Sequence, residues 1–170
     1  ELTVNGKKLA RQKMPRNGHL KWNVVYQPGK VVAVGYKNGK RILTQTISTT
    51  KPASKIVMTS DRQLIKADGL DVAVVTVEIQ DKNGLVVPDA CPMLKLHLEG
   101  KARILGVGNG DPSYLGADHS SELNCKEFEI PAFNGYAQVL VQSDEEASQV
   151  KLTATSEGLE VGIVDIELVE

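Results

Sequence analysis

A chain of 170 residues, 41% of them hydrophobic, can enclose one or two cores of ordinary domain size. Twenty basic and 21 acidic residues leave a net charge of −1 with no block of one sign, which points away from nucleic acid and from a membrane surface as partners. No apolar run approaches the ~20 residues that span a bilayer, and aromatics at 4% are few for a module that grips sugars by ring stacking.

The predicted elements are all strands. Turn signals recur along the chain at Asn5-Gly6, Asn17-Gly18, Pro28-Gly29, Asn38-Gly39, Asp68-Gly69, Asn83-Gly84 and Asn134-Gly135. Asn-Gly supplies the positive φ that tight hairpins demand. The chain opens on Glu1-Leu2-Thr3-Val4, a strand entering a turn, with neither an initiator Met nor a signal peptide. The expectation is therefore that residues 1–50 are the remainder of a sandwich whose first strands precede Glu1. Lys7, Lys8, Arg11, Lys13 and Arg16 read as the solvated faces of hairpins. In Leu20-Lys21-Trp22-Asn23-Val24, strand parity puts Trp22 with Leu20 and Val24, as a core anchor. Ser48 to Lys55 is polar around Pro52 and predicts a linker.

Beyond it the period-two signal is strong. Ala73, Val75, Val77 and Ile79 share one face, as do Leu94, Leu96 and Leu98. So do Ala137, Val139 and Val141, and again Val164, Ile166 and Leu168. One buried and one wet face is the mark of an antiparallel sandwich. Asp144 to Ala147 reads as a loop. The fold class is all-β with two immunoglobulin-like β-sandwich domains: residues 1–50 partial, about five strands with the N-terminal ones missing, and residues 51–170 complete, about seven to nine.

Candidate site residues are sparse. The segment Gly106 to Asn124 is the most unusual, with Gly106, Gly108 and Gly110 interleaved with Asn109, Asp111, Asp118, His119 and Asn124. Calcium needs six to eight oxygens with closely spaced carboxylates, and here Asp111 and Asp118 stand far apart. The reading favoured is a loop in which Asn and Asp cap their own backbone, with Asn109, Asp111 and Tyr114 as candidate contact residues. No helix follows the glycines to hold a phosphate. His19, His97 and His119 are scattered without zinc spacing, so no metal and no cofactor is expected. No nucleophile, base or acid carries a positional signature, so no catalytic residue is assigned. Cys91 and Cys125 allow one disulfide, expected in an oxidising compartment.

Several ordered motifs resemble a known family. Val4-Asn5-Gly6-Lys7-Lys8-Leu9, Asn17-Gly18-His19-Leu20-Lys21-Trp22, Tyr26-Gln27-Pro28-Gly29 and Val34-Gly35-Tyr36-Lys37-Asn38-Gly39 form one series. Ala67-Asp68-Gly69, Asp81-Lys82-Asn83-Gly84, Gly106 to Pro112, Ala132 to Gly135 and Ala154 to Gly158 form a second. Together they resemble the C-terminal β-sandwiches of bacterial glycoside hydrolase family 2 β-galactosidases. The resemblance implies a non-catalytic accessory region of a periplasmic or secreted glycosidase. Its partners would be the catalytic barrel and other domains of the parent enzyme, with homo-oligomer and glycan contacts as further candidates. The two catalytic Glu of that family sit on barrel strands, and none can be carried over to this all-β chain. The second series is shared more loosely with adhesin-like spacer repeats, and a carbohydrate-binding module is the other alternative reading.

Overall fold

Hairpin chemistry organises the first third of the chain. The computed structural model describes residues 1–119 and 124–170, which divide into two compact units, Glu1–Thr49 and Thr50–Glu170. In the first unit Asn5 and Gly6 (φ 48° and 81°) turn β1 (Leu2–Val4) into β2 (Lys7–Lys8), and Asn38 and Gly39 (φ 50° and 77°) turn β3 (Lys30–Lys37) into β4 (Lys40–Ser48). Two consecutive positive φ values match the right-handed twist of the flanking strands, and Asn and Gly tolerate them best. The four strands form one antiparallel sheet in the order β2-β1-β3-β4. Asn5 ties it together: its Oδ1 accepts the Lys30 amide at 2.7 Å and its Nδ2 donates to the Pro28 carbonyl at 3.1 Å.

This unit is a single four-stranded sheet. One expectation for it is corrected: the strand expected around Leu20–Val24 does not form. Residues 9–29 are neither strand nor helix. Trp22 is half-buried, not a core anchor, and its Nε1 donates to the Ala10 carbonyl at 2.9 Å. Val24, Val25 and Tyr26 are exposed. Alternation tells which way a side chain would point in a strand, but a strand also needs a neighbour to accept its hydrogen bonds, and this segment has none within its unit. None of residues 1–49 is buried.

The second unit is a two-sheet sandwich. One sheet runs β5 (Ala53–Ser60), β7 (Val72–Asp81), β11 (Tyr136–Ser143), β9 (Ala102–Gly108). The other runs β10 (Glu127–Pro131), β8 (Met93–Glu99), β12 (Ser148–Thr155), β13 (Gly162–Val169), β6 (Leu64–Lys66). All named strand pairs are antiparallel except β13 with β6. The alternating residues read from the sequence meet in one core: Val75, Val77, Ile79, Leu94, Leu98, Val139, Val141 and Ile166 are fully or almost fully buried there. Val164 is only half-buried at its rim. The expected linker is shorter than Ser48–Lys55, because Ser48 belongs to β4 and Ala53, Ser54 and Lys55 already belong to β5.

One buried charge is built into this frame. Asp81 is fully buried at the end of β7, and its carboxylate accepts the amides of Lys51 (2.8 Å), Asn83 (2.8 Å) and Leu85 (3.0 Å). Those amides hold it below the usual carboxylate range, with Lys51 the main cause. Thus one ion fixes both the turn after β7 and the chain's entry into β5.

Candidate functional site

The glycine-rich segment begins inside a strand. Gly106 and Gly108 belong to β9, so the irregular part starts at Asn109, and Ser120–Leu123 of the expected loop lie outside the described residues. Gly106 is needed where it stands: a Cβ there would sit 2.9 Å from the Asp118 carbonyl oxygen. That approach lets the segment fold back onto the edge of β9, where the Val107 amide donates to Asp118 at 2.7 Å.

The three candidate contact residues are already occupied with one another. The Asn109 side-chain amide donates to the Pro131 carbonyl at 3.0 Å, and its oxygen accepts the Asp111 amide at 3.0 Å. Asp111 Oδ1 accepts the Ser113 amide at 2.8 Å and the Ser113 hydroxyl at 2.7 Å. These bonds, the hydroxyl first, lower the Asp111 pKa. The Tyr114 amide donates to the Asp111 carbonyl at 3.2 Å, and its ring packs against the hydrophobic core. Asn109 and Asp111 thus form successive Asx turns, and Tyr114 is a plug at the sandwich end rather than a presented ring. Asp118 meets the His119 ring at 2.6 Å, which lowers the Asp118 pKa. Both are exposed.

The expected disulfide is not formed. Cys91 is exposed before β8, whereas Cys125 is buried in the core with its thiol donating to the Glu127 carbonyl at 3.2 Å. One thiol faces solvent and the other is held inside as a small hydrophobe. Among the described residues, no three His, Cys, Asp or Glu side chains come close enough to hold a metal ion.

Residues 56–165 of this sandwich match the model for glycoside hydrolase family 2 C-terminal domain 5. The chain belongs to that family. Residues 1–43 match a second model, a domain of unknown function (DUF4982). The chain is 36% identical over 171 residues to the β-galactosidase BoGH2A of Bacteroides ovatus, a match covering 100% of this chain and 19% of that protein. A crystal structure of a glycosyl hydrolase family 2 member from Bacteroides cellulosilyticus is similar with a TM-score of 0.91 at 27% identity, over 99% of this chain and 21% of that one. A β-glycosidase from Bacteroides vulgatus follows at TM-score 0.87 and 30% identity, over 98% of this chain and 21% of that one. The chain therefore spans about a fifth of the length of these relatives.

Proposed function

We propose that this chain is a non-catalytic accessory region of a β-galactosidase-like glycosidase, and that the sheet of residues 1–49 is a packing surface for the rest of the parent polypeptide. The carrying observation is an apolar sheet face that its own unit leaves largely open. Register places Leu2 opposite Ala33, Val4 opposite Val31, Val31 opposite Ile47 and Gly35 opposite Leu43. Leu2, Val4, Val31, Ala33, Leu43 and Ile47 therefore share one face, on which Leu43 is 65% and Ile47 69% exposed. A groove of about 800 Å³ lies against the same strands, lined in part by Met14, Trp22, Ile42 and Leu43. A large contiguous apolar patch marks a surface meant to be covered. The relatives are about five times longer, and strands of the same polypeptide, completing a sandwich with this sheet, are the cover that suits an apolar β face.

Two measurements on the chain test this reading. The purified protein is expected to leave a chromogenic β-galactoside untouched, since glycoside hydrolysis requires a placed carboxylate pair that no residue here has been assigned to. It is also expected to bind a hydrophobic dye through residues 1–49, with binding falling severalfold in L43K/I47K and unchanged in I163K, a control on an exposed position of β13. Hydrolysis that copurifies with the chain, or dye binding unaffected by L43K/I47K, overturns the proposal.

A further inference from the structure

A different surface of the sandwich carries a site of its own. On the outer face of the β5-β7-β11-β9 sheet, Thr76, Gln138 and Gly108 stand side by side in register across β7, β11 and β9. Gly108 leaves a notch in that row: a Cβ built on it would meet nothing within 4 Å. Tyr136, two residues before Gln138 on the same face, is 44% exposed and stands beside the notch, and Asn109 borders it on the edge-strand side. The open hollow so formed measures about 320 Å³.

The chemistry of the lining narrows the ligand. It offers one aromatic ring, two side-chain amides and the hydroxyls of Thr76 and Tyr136, together with Gly108, Gly110 and Ala137, and no charged side chain. A phosphate or a carboxylate would find no cation here. Neighbouring polar groups are otherwise engaged, Glu78 with the Gln80 amide at 2.6 Å and Asn109 with Pro131 at 3.0 Å. The side chains of Gln138 and Thr76 have no hydrogen-bond partner among the described residues, and the Asn109 side chain keeps one of its two N–H donors. An aromatic face next to neutral donors and acceptors suits a ligand with one C–H-rich face and a hydroxylated edge. The volume lies at the lower end of small-ligand sites.

We infer that the notch over Gly108 is a pyranoside-binding subsite, with Tyr136 stacking on the C–H face of the sugar ring and Gln138 and Thr76 bonding its hydroxyls. The choice of a galactoside as probe rests on the family reading above, whereas the site itself rests on the geometry. The site is open and shallow, so binding is weak, with a Kd near 1 mM or above (about −4 kcal/mol).

The test is a titration of the 15N-labelled chain with methyl β-D-galactopyranoside and, in parallel, methyl β-D-glucopyranoside, followed by amide shifts. Saturable shifts are expected at Thr76, Gly108, Asn109 and Tyr136 to Gln138 with at least one sugar. Y136A should weaken binding at least tenfold, Y136F less than threefold, and Q138A several-fold, with the spectra themselves reporting that each variant is folded. Absence of saturable shifts at those residues with both sugars overturns the subsite, as does unchanged binding in Y136A. Either result leaves the accessory packing role untouched, because that role is read from dye binding and inertness toward galactosides.

Discussion

Truncating Leu152 to alanine should cost far more than truncating Leu43, although both lie on strands of similar length. Leu152 is fully buried on β12, with Leu98 opposite on β8 and Val164 opposite on β13. A strand flanked on both sides and covered by a second sheet cannot collapse into the space its side chain leaves. Leu→Ala at such sites costs about 2.7–5 kcal/mol, and the confined position argues for about 3–4 kcal/mol. With a urea slope of about 2 kcal/mol/M for a unit of this size, the midpoint should fall by roughly 1.5–2 M. Leu43 is 65% exposed. Only about a third of its side chain leaves water, so Leu43→Ala should cost less than about 1 kcal/mol. Far-UV circular dichroism during urea titration reads the sandwich. Fluorescence of Trp22, the only Trp in the chain, reads residues 1–49 separately. Equal, small shifts for the two variants would refute the placement of the core between the two sheets of residues 50–170.

Asp81→Asn should lower the melting temperature by several degrees at pH 7, and the gap from wild type should close in acid. The folded pKa of Asp81 is depressed below 3.8. Its stabilisation is therefore fully present above about pH 4 and is lost as pH falls through the folded value. A gap that stays constant from pH 7 to pH 2.5 would sink this account. Both cysteines should titrate as free thiols in denatured, unreduced protein, with Cys91 alone reacting promptly in the native state; fewer than two thiols would contradict the structure. Amide hydrogens of β3 and β4 should exchange faster than those of β7 and β11 by mass spectrometry, because no side chain of residues 1–49 is buried. Equal protection would mean that the open sheet face is covered by self-association, which sedimentation would then reveal.

Much of this architecture was legible locally. Asn5-Gly6, Asn38-Gly39 and Asn134-Gly135 each adopt paired positive φ values, as the turn chemistry required. The alternating residues of β7, β8 and β11 all turn their apolar sides into one core. Both signals are written within a few residues, so a sequence displays them directly. Pairing is not written that way. Nothing in Leu64-Ile65-Lys66 tells that it lies parallel to β13, about a hundred residues later, at the edge of the five-stranded sheet. The same limit explains Leu20–Val24: its parity resembles a strand, but its unit supplies no partner to complete the ladder.

The candidate site follows the same division. Tyr114 attracted attention because it sits in a polar, glycine-rich segment, yet its ring is drawn onto the core and its neighbours Asn109 and Asp111 use their side chains to hold turns. A tyrosine in a loop has no face assigned by periodicity, and burial claims it when apolar surface lies within reach. Tyr136 and Gln138, by contrast, alternate with Ala137 and Val139 along β11, and this parity already put them on the wet side. What parity could not give was the notch beside them. It exists because a glycine on β9 and a threonine on β7, more than thirty positions apart in sequence, fall in the same row as Gln138. The distinction is physical: side-chain direction is set by the pleat of one strand, whereas a binding surface is set by the register of three.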